Sequence, residues 1–332
     1  MTAKLPPVLL VDDPTVASAV DLNDLILAVE AAFAAYASGR ALKPELSHVE
    51  ADGGEFHIKA GGIPGRDCAY FACKVGAGFF RNRSRWGLPN IIGLVMLCDA
   101  STGVPLAVMD SSLLTRLRTG AATAVAAKHL ARSNSQAVLV CGAGAQAEIQ
   151  LRSLLRVLPL KKAFVWTRSD PSVFAHRMAA ELQIDVQPAL DLREAARASD
   201  VIVTCTPART WFLGRDHVAE GTFIAAVGAD SPGKQELEPE LVAQSSVVCD
   251  ITQQCVEVGE LQYCSPEERI NRRHVRGELG GVIIGQVPAR QDSNEIIIFD
   301  STGTALQDVA AAALIYERCR SLGRGQAFSF RP

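Results

Sequence analysis

A glycine-rich stretch at residues 138–148 has the composition of a nucleotide-binding turn. It reads Val-Leu-Val-Cys-Gly-Ala-Gly-Ala-Gln-Ala-Glu and is followed by a helix-compatible segment, 148–157. Gly142 would permit a tight turn, Gly144 would let the backbone approach a diphosphate, and Ala147 stands where a third glycine often sits. Free N–H groups at the helix start would face the phosphates. An ordinary strand-to-helix turn is the alternative. The predicted cofactor-binding residues here are Gly142, Gly144, Ala145 and Gln146.

The end of the next predicted strand indicates which dinucleotide would bind. An NAD site usually carries Asp or Glu there, about 20 residues further on, to bind the ribose 2′-hydroxyl. This chain has Thr167 and Arg168 instead, and an arginine can pair with a 2′-phosphate. We therefore predict NADP(H), although Asp170 keeps NAD(H) open. Later strand ends add further predicted cofactor-binding residues, namely Thr206, Val227 and Gly228.

Charged residues in apolar or small-residue surroundings are the candidates for chemistry. Lys74 interrupts the apolar run Tyr-Phe-Ala-Cys-Lys-Val, where an ammonium is costly unless it is paired. It either lines a pocket for an anion or reaches solvent from a sheet edge, and Lys59 presents the same choice. Arg118 precedes a small-residue helix face and suits a carboxylate or phosphate, unless it is simply solvated. Asp230 follows a predicted strand in a Gly- and Pro-bounded loop, where it could be catalytic or form a turn.

Two kinds of β-sheet are predicted to hold these residues in place, an antiparallel one and a parallel one. Residues 45–110 alternate in the manner of strands and predict an antiparallel meander, preceded by a strand at 8–12 and a helix capped by Asp21 and ended at Gly39. A helix is predicted at 113–130. From residue 135 the pattern becomes alternating strands and helices, which indicates a parallel sheet. The predicted strands of that sheet are 137–141, 163–167, 201–206, 223–227 and 247–250.

The fold class predicted from these patterns is α/β. A Rossmann-type doubly wound parallel sheet over 116–301 would bind the dinucleotide. A discontinuous α+β domain over 1–115 and 302–332 would bind substrate and dimerise, because the helix predicted at 305–322 could return to the first segment.

Bulk properties narrow the function classes. The 332 residues carry a net charge of −3, which gives no electrostatic case for nucleic acid. No apolar run reaches the roughly 18 residues of a membrane span, and the N-terminus lacks the apolar region of a signal peptide. Nine scattered cysteines without a C-x-x-C pair indicate reduced thiols, so we expect a cytoplasmic protein. The histidines show no metal-site spacing, and we expect no metal.

Five segments together resemble the ornithine cyclodeaminase/μ-crystallin family over nearly the whole chain. They are Lys74 with Gly-Leu-Pro at 87–89, Leu-Thr-Arg-Leu-Arg-Thr-Gly-Ala-Ala at 114–122, Cys-Gly-Ala-Gly-Ala-Gln-Ala at 141–147, Ala-Val-Gly-Ala-Asp-Ser-Pro-Gly-Lys-Gln-Glu-Leu at 226–237 and Phe-Asp-Ser-Thr-Gly at 299–303. The resemblance implies a homodimer and a nicotinamide cofactor that exchanges a hydride with the Cα of an amino or imino acid. It also implies that Lys74 and Arg118 hold the substrate carboxylate and that Asp230 handles the substrate nitrogen.

The chain departs from the family at positions that bear on the substrate. Glu45 stands where many members carry a carboxylate-binding arginine, and His57 and Lys59 stand near the glutamate and methionine of the cyclodeaminases. Lys59 could supply the missing positive charge. We therefore predict an NAD(P)H-dependent reductase of a small imino acid or cyclic ketimine carboxylate, with Asp230 and Lys74 as catalytic residues. The alternatives are an ornithine-type cyclodeaminase, which releases ammonia and recycles NAD, and a non-catalytic NADPH-binding crystallin-like protein.

Overall fold

Two large β-sheets organise the protein, whose computed structural model describes residues 5–65, 68–264 and 274–330. The first four residues of the N-terminal segment considered above lie outside this description. The chain divides into two compact units, Met1–Arg118 with Thr304–Pro332, and Thr119–Gly303. The predicted borders fell at 115/116 and 301/302, and the functions assigned to the two parts remain predictions.

The first unit is built on a seven-stranded sheet. Its strands are β1 (Val8–Val11), β2 (Leu42–Ala51), β3 (Gly54–Ile63), β4 (Tyr70–Gly78), β5 (Ile91–Asp99), β6 (Pro105–Asp110) and β17 (Gln326–Phe328). Their order is β17-β1-β6-β5-β4-β3-β2. Strands β2 to β6 pair antiparallel in succession, as the predicted meander requires, while β1 joins β6 in parallel.

Helices of the first unit begin and end at local sequence signals. Asp21 caps the second helix, accepting N–H groups of Asn23 and Asp24 as predicted, and the chain leaves that helix at Gly39 with φ of +70°. The helices are α1 (Asp13–Ala19), α2 (Leu22–Ala37), α3 (Asn82–Trp86) and, from the C-terminal segment, α11 (Ala305–Leu322). Helix α4 (Ser112–Leu130) carries the chain across the border at Arg118.

The second unit is built on an eight-stranded sheet in which every pairing is parallel. Its order is β15-β14-β16-β12-β10-β7-β8-β9. Counted from β7, the first five strands run 3-2-1-4-5, the doubly wound order, with its switch point between β7 and β10. The strands are β7 (Ala137–Cys141), β8 (Lys162–Trp166), β9 (Asp185–Pro188), β10 (Val201–Thr204), β12 (Phe223–Ala226), β14 (Ser246–Cys249), β15 (Val275–Glu278) and β16 (Ile297–Asp300).

Helices alternate with these strands, and the predicted fold class is confirmed. They are α5 (Ala145–Leu154), α6 (Ser172–Leu182), α7 (Leu192–Arg197), α8 (Pro239–Ala243), α9 (Thr252–Val258) and α10 (Leu279–Ile283). Two short strands, β11 (Arg209–Leu213) and β13 (Gln235–Leu237), pair outside the main sheet.

The second sheet is wider than predicted. Strands β9, β15 and β16 join the five predicted ones, and β16 inserts between β12 and β14. Strand β8 ends at Trp166 rather than Thr167. The described helices include none that is both long and apolar enough to cross a membrane.

Candidate functional site

The first unit gathers three cations around one carboxylate. Lys59 on β3 and Lys74 on β4 are cross-strand partners, so both side chains leave the same face of the sheet. The Nζ of Lys74 lies 2.8 Å from Oδ1 of Asp308 on α11, and Nε of Arg118 lies 3.0 Å from the same oxygen. Because β4 lies inside the sheet, the alternative in which Lys74 reaches solvent from an edge is wrong.

All four side chains are buried, and two of the cations share one carboxylate oxygen. Lys59, Lys74, Arg118 and Asp308 are at most 6% exposed, and both Lys74 and Arg118 contact Oδ1 of Asp308. Burial lowers the pKa of Lys74 to about 7, and Arg118 adds to this effect while Asp308 opposes it. Burial alone would raise the pKa of Asp308, but the surrounding cations hold it below its usual value. The group can therefore accept one further negative charge, such as a substrate carboxylate.

Several buried atoms beside this group lack hydrogen-bond partners among the described residues. They are Nε of Arg118, which contacts Asp308 without hydrogen-bond alignment, Oδ2 of Asp308 and Nε2 of Gln307. The Oε1 atom of Gln307 is occupied, since it accepts a 2.6 Å hydrogen bond from Nη1 of Arg118. Buried polar atoms are rarely left unsatisfied. Two donors and one acceptor are thus available to a ligand that carries both oxygen acceptors and an N–H donor.

Sequence reasoning selected the cations of this group but missed Gln307 and Asp308. Both lie in the first turns of α11, whose N-terminal half is otherwise apolar and wholly buried. Two polar residues within a buried apolar helix need partners. That signal was present in the sequence, but it could not identify the partners.

The glycine turn of the second unit has the shape that a dinucleotide requires. Gly142 has φ of +132°, and a Cβ there would lie 3.0 Å from Sγ of Cys205. A Cβ on Gly144 would meet nothing within 4 Å, so the backbone is open to an approaching group. Gly144 is the N-cap of α5 and provides no side-chain cap, which leaves the first N–H groups of the helix to a ligand. These observations fit a bound diphosphate.

The other predicted cofactor residues lie along the same edge of the sheet. Thr167 and Arg168 follow β8, and Thr206 follows β10, so both strands that flank β7 contribute to this edge. Val227 and Gly228 follow β12, the next strand. Carboxyl ends of parallel strands at a switch point are where such sheets bind ligands. Gln146 lies in the first turn of α5, and its Oε1 is buried without a partner among the described residues.

Thr206 and Gly228 are held together by a residue that sequence reasoning missed, Glu236. Its Oε1 accepts the backbone N–H and the hydroxyl of Thr206, each at 2.7 Å, and its Oε2 accepts the N–H of Gly228 at 3.0 Å. A Cβ on Gly228 would lie 2.3 Å from Oε2 of Glu236, so only glycine fits there. Burial raises the pKa of Glu236 to about 7, although the Thr206 and Gly228 hydrogen bonds oppose the rise.

Two further buried carboxylates, Glu260 and Asp300, hold the backbone that carries Glu236. Glu260 accepts the backbone N–H groups of Glu236 and Leu237, and Asp300 accepts those of Glu260 and Leu261. Burial raises the pKa of Asp300 to about 7. Burial, with the charges of Glu236 and Asp300, raises the pKa of Glu260 well above its usual value. Each carboxylate thus fixes the backbone that carries the next one towards the sheet edge.

Asp230 lies in the loop after β12, two residues beyond Gly228. Its carboxylate forms an ion pair with Lys234, a partner that sequence reasoning did not identify. The Asp230 side chain is 39% exposed, whereas Glu236, six residues further along the chain, is fully buried.

Two histidines also come together, in contrast to the expectation that they form no metal-binding arrangement. His48 on β2 is the cross-strand partner of His57 on β3. Both rings lie beside Glu55, and the ligand atoms of the three residues are within 4.8 Å of one another.

The chain belongs to the ornithine cyclodeaminase/mu-crystallin family, whose model matches residues 8–323. An alanine dehydrogenase of Archaeoglobus fulgidus is 37% identical over 97% of this chain and 98% of its own length. An archaeal alanine dehydrogenase structure, described as a dimer with bound NAD, has a TM-score of 0.91 at 35% identity and covers 98% of this chain and 99% of its own.

Two more solved structures represent the reductases and the cyclodeaminases. A Thermococcus litoralis Δ1-pyrroline-2-carboxylate reductase in complex with NADH and L-proline has a TM-score of 0.91 at 30% identity, covering 96% of this chain and 99% of its own. A lysine cyclodeaminase has a TM-score of 0.83 at 30% identity, covering 98% and 96%. The predicted class, an NAD(P)-dependent oxidoreductase with imino-acid reductases and cyclodeaminases among its relatives, is confirmed, and so is a nicotinamide cofactor.

Proposed function

We propose that this chain reduces the C=N bond of a small imino acid or cyclic ketimine carboxylate with a nicotinamide cofactor. One observation carries the proposal: the buried cations Lys74 and Arg118 share one carboxylate oxygen of Asp308. The excess of positive charge is relieved when Lys74 loses its proton or when an anion binds beside the two cations. A substrate carboxylate is a small anion of the right kind, and Arg118 can bind it through two parallel N–H donors.

The roles proposed for the chain follow from charge and hydrogen bonding. Lys74 and Arg118, with Lys59, bind the carboxylate and orient the imine carbon. Asp230 accepts the N–H of the iminium nitrogen and favours its cationic form, which accepts a hydride more readily. Glu236 acts as a positioning residue, because it fixes Thr206 and Gly228 at the cofactor-binding edge. When bound, the reduced nicotinamide supplies the hydride.

The relatives support a reductase, and a direct assay tests it. Purified protein is mixed with NADPH or NADH and Δ1-pyrroline-2-carboxylate, Δ1-piperideine-2-carboxylate or iminosuccinate, and absorbance at ~340 nm reports cofactor oxidation. Stoichiometric oxidation supports the proposal. Ammonia released from ornithine without net cofactor change would indicate the cyclodeaminase. Cofactor binding without either reaction would contradict the reductase and favour the binding protein.

The variant Asp230→Asn tests whether Asp230 is the hydrogen-bond partner of the reacting nitrogen. The amide keeps the shape but loses the negative charge, so we expect kcat to fall by about 10²–10³, while the Kd for the cofactor stays unchanged. Asp216→Asn, which changes an exposed aspartate of the same unit, should keep full activity. Full activity of Asp230→Asn would exclude the role.

We further propose that NADP(H) is preferred to NAD(H). Arg168 is exposed just beyond β8, and Asp170 already accepts the N–H of Ser172 at 2.9 Å. Pairing of Arg168 with a 2′-phosphate would contribute about 1.5–3 kcal/mol, or roughly 10- to 100-fold in affinity. Arg168→Ala should therefore lower the NADPH-to-NADH ratio of kcat/KM by that factor, and Asp170→Asn should leave it within about twofold. An unchanged ratio in Arg168→Ala would favour NAD(H).

A homodimer is proposed from the first unit's sheet. The face opposite Lys74 exposes a row of apolar side chains that are 40–55% accessible, a patch typical of interaction surfaces. They are Val49, Val75, Ile92, Leu94 and Met96. Light scattering should give twice the chain mass for the wild type and a monomer for Leu94→Glu. Leu27→Glu, which changes an exposed leucine of helix α2, should remain a dimer.

A further inference from the structure

The residues His48, Glu55 and His57 share one face of the first unit's sheet. His48 lies directly opposite His57 across the β2–β3 pair, and Glu55 lies two residues before His57. Side chains two residues apart on a strand, and those of directly opposed residues, project to the same side. The side chains are 14–19% exposed, so solvent and small ions can reach them.

Two separations within this trio are close to those of ligands around a common ion. Nε2 of His57 lies 3.4 Å from Oε1 of Glu55, and Nε2 of His48 lies 3.7 Å from Oε2. Two ligands bound about 2.0–2.1 Å from a tetrahedral ion are roughly 3.4 Å apart. The two separations therefore fit shared coordination of one ion, and the ligand atoms of all three residues lie within 4.8 Å of one another.

The strand next to β3 leaves space above this trio. Gly76 is the cross-strand partner of His57, and Gly78 is the partner of Glu55. A Cβ on Gly76 would meet only the backbone oxygen of His57, at 3.9 Å, whereas a Cβ on Gly78 would contact Oε1 of Glu55 at 3.6 Å. The glycine at position 76 therefore leaves room for an ion and for one further ligand, such as water.

We propose that His48, Glu55 and His57 bind a divalent transition-metal ion, with one coordination position left to water. Two imidazoles and a carboxylate suit zinc, and three protein ligands with an open position is a common zinc arrangement. Calcium and magnesium prefer sets of oxygen ligands, which this site lacks among the described residues. The bound ion links β2, the edge strand of the sheet, to β3.

The test is zinc binding to the full chain without an affinity tag, after chelation and gel filtration. Calorimetry and elemental analysis should find about one zinc per wild-type chain. His57→Gln and Glu55→Gln should each lose this stoichiometric zinc. Two matched variants should keep it: Glu45→Gln, on the opposite face of β2, and His176→Gln, an exposed histidine of α6.

A second measurement needs no variant. Cobalt added to the metal-free wild type should develop the intense visible absorption of four-coordinate Co2+, and zinc should displace it. Weak absorption of six-coordinate hydrated cobalt would overturn the proposal. So would zinc that binds His57→Gln and Glu55→Gln as it binds the wild type, or no stoichiometric zinc at all. These outcomes do not depend on catalytic activity, so they are independent of the proposed function.

Discussion

Buried charges in the two units are stabilised in opposite ways. In the first unit, Lys59, Lys74 and Arg118 surround the single carboxylate of Asp308, and nearby donors lack partners among the described residues. In the second unit, Glu236, Glu260 and Asp300 each accept at least two backbone N–H groups. In the first group Lys74 and Arg118 share one carboxylate oxygen, whereas each carboxylate of the second group is hydrogen-bonded by backbone amides.

This difference indicates separate roles for the two groups: the first suits ligand binding, and the second suits the positioning of loops. A buried cation group with excess charge is costly for the fold and therefore suits ligand recognition. A carboxylate held by backbone amides fixes the geometry of the loops that provide those amides. We therefore expect charge changes in the first group to affect substrate affinity, and changes in the second group to affect loop geometry and the pH dependence of stability.

Asp308→Asn should give the largest effect. Lys74 can lose its proton, but Arg118 cannot, so the variant buries an uncompensated charge. We expect the free energy of unfolding in urea to fall by about 3–5 kcal/mol. Added acetate should restore part of it by occupying the anion position.

A surface ion pair of the same unit provides the control. Asp24 pairs with Arg318 where both side chains are more than one-third exposed, so Asp24→Asn should cost less than about 1 kcal/mol. If Asp308→Asn also cost less than about 1 kcal/mol, the charges of the first group would not be what stabilises it.

Glu236→Gln should change how stability depends on pH. The pKa of Glu236 rises from 4.5 to about 7 on folding, so between these values the folded state holds a proton that the unfolded state releases. The contribution of Glu236 is therefore most favourable below about pH 4.5 and is lost as the pH rises to about 7, by about 3 kcal/mol. Urea unfolding across pH 4.5–7.5 should show that the free energy of unfolding of the wild type falls relative to that of Glu236→Gln as the pH rises. Parallel profiles would show that the carboxylate is ionised throughout.

Lys74 should give a smaller, pH-dependent effect on substrate affinity. Because its pKa is lowered to about 7, the ammonium that we propose binds the carboxylate is lost as the pH rises through that value. We expect KM to rise above pH 7 by up to about tenfold per pH unit. Lys74→Arg keeps its charge over this range and should flatten the profile. A KM that stays constant in the wild type from pH 7 to 9 would contradict the lowered pKa.

The local features of the fold were predictable because they depend on near neighbours. The strand at Ala137–Cys141 and the helix at Ala305–Leu322 have the predicted bounds, since periodicity and capping residues act within a few positions. The His48–His57 pair was also within reach. Asp52 and Gly53 form a two-residue hairpin loop whose register opposes His48 to His57. Reading that turn would have predicted the pairing.

The partners of the candidate residues were not predictable from local patterns. Asp308 lies 234 positions from Lys74, and Glu236 lies 30 positions from Thr206. A charged residue in an apolar segment indicates that some partner exists, but only tertiary packing decides which one.

The sequence by itself determined the strand–glycine–helix turn, the alternation that produces the parallel sheet, and the candidacy of Lys74, Arg118 and Asp230. Tertiary structure decided that Lys74 is buried against Asp308, that Asp230 pairs with Lys234, and that Glu236 joins Thr206 to Gly228. The physical reason is the separation along the chain over which each effect acts. Backbone conformation responds to residues a few positions away, whereas the stability of a buried charge depends on whichever groups the fold brings within a few ångströms.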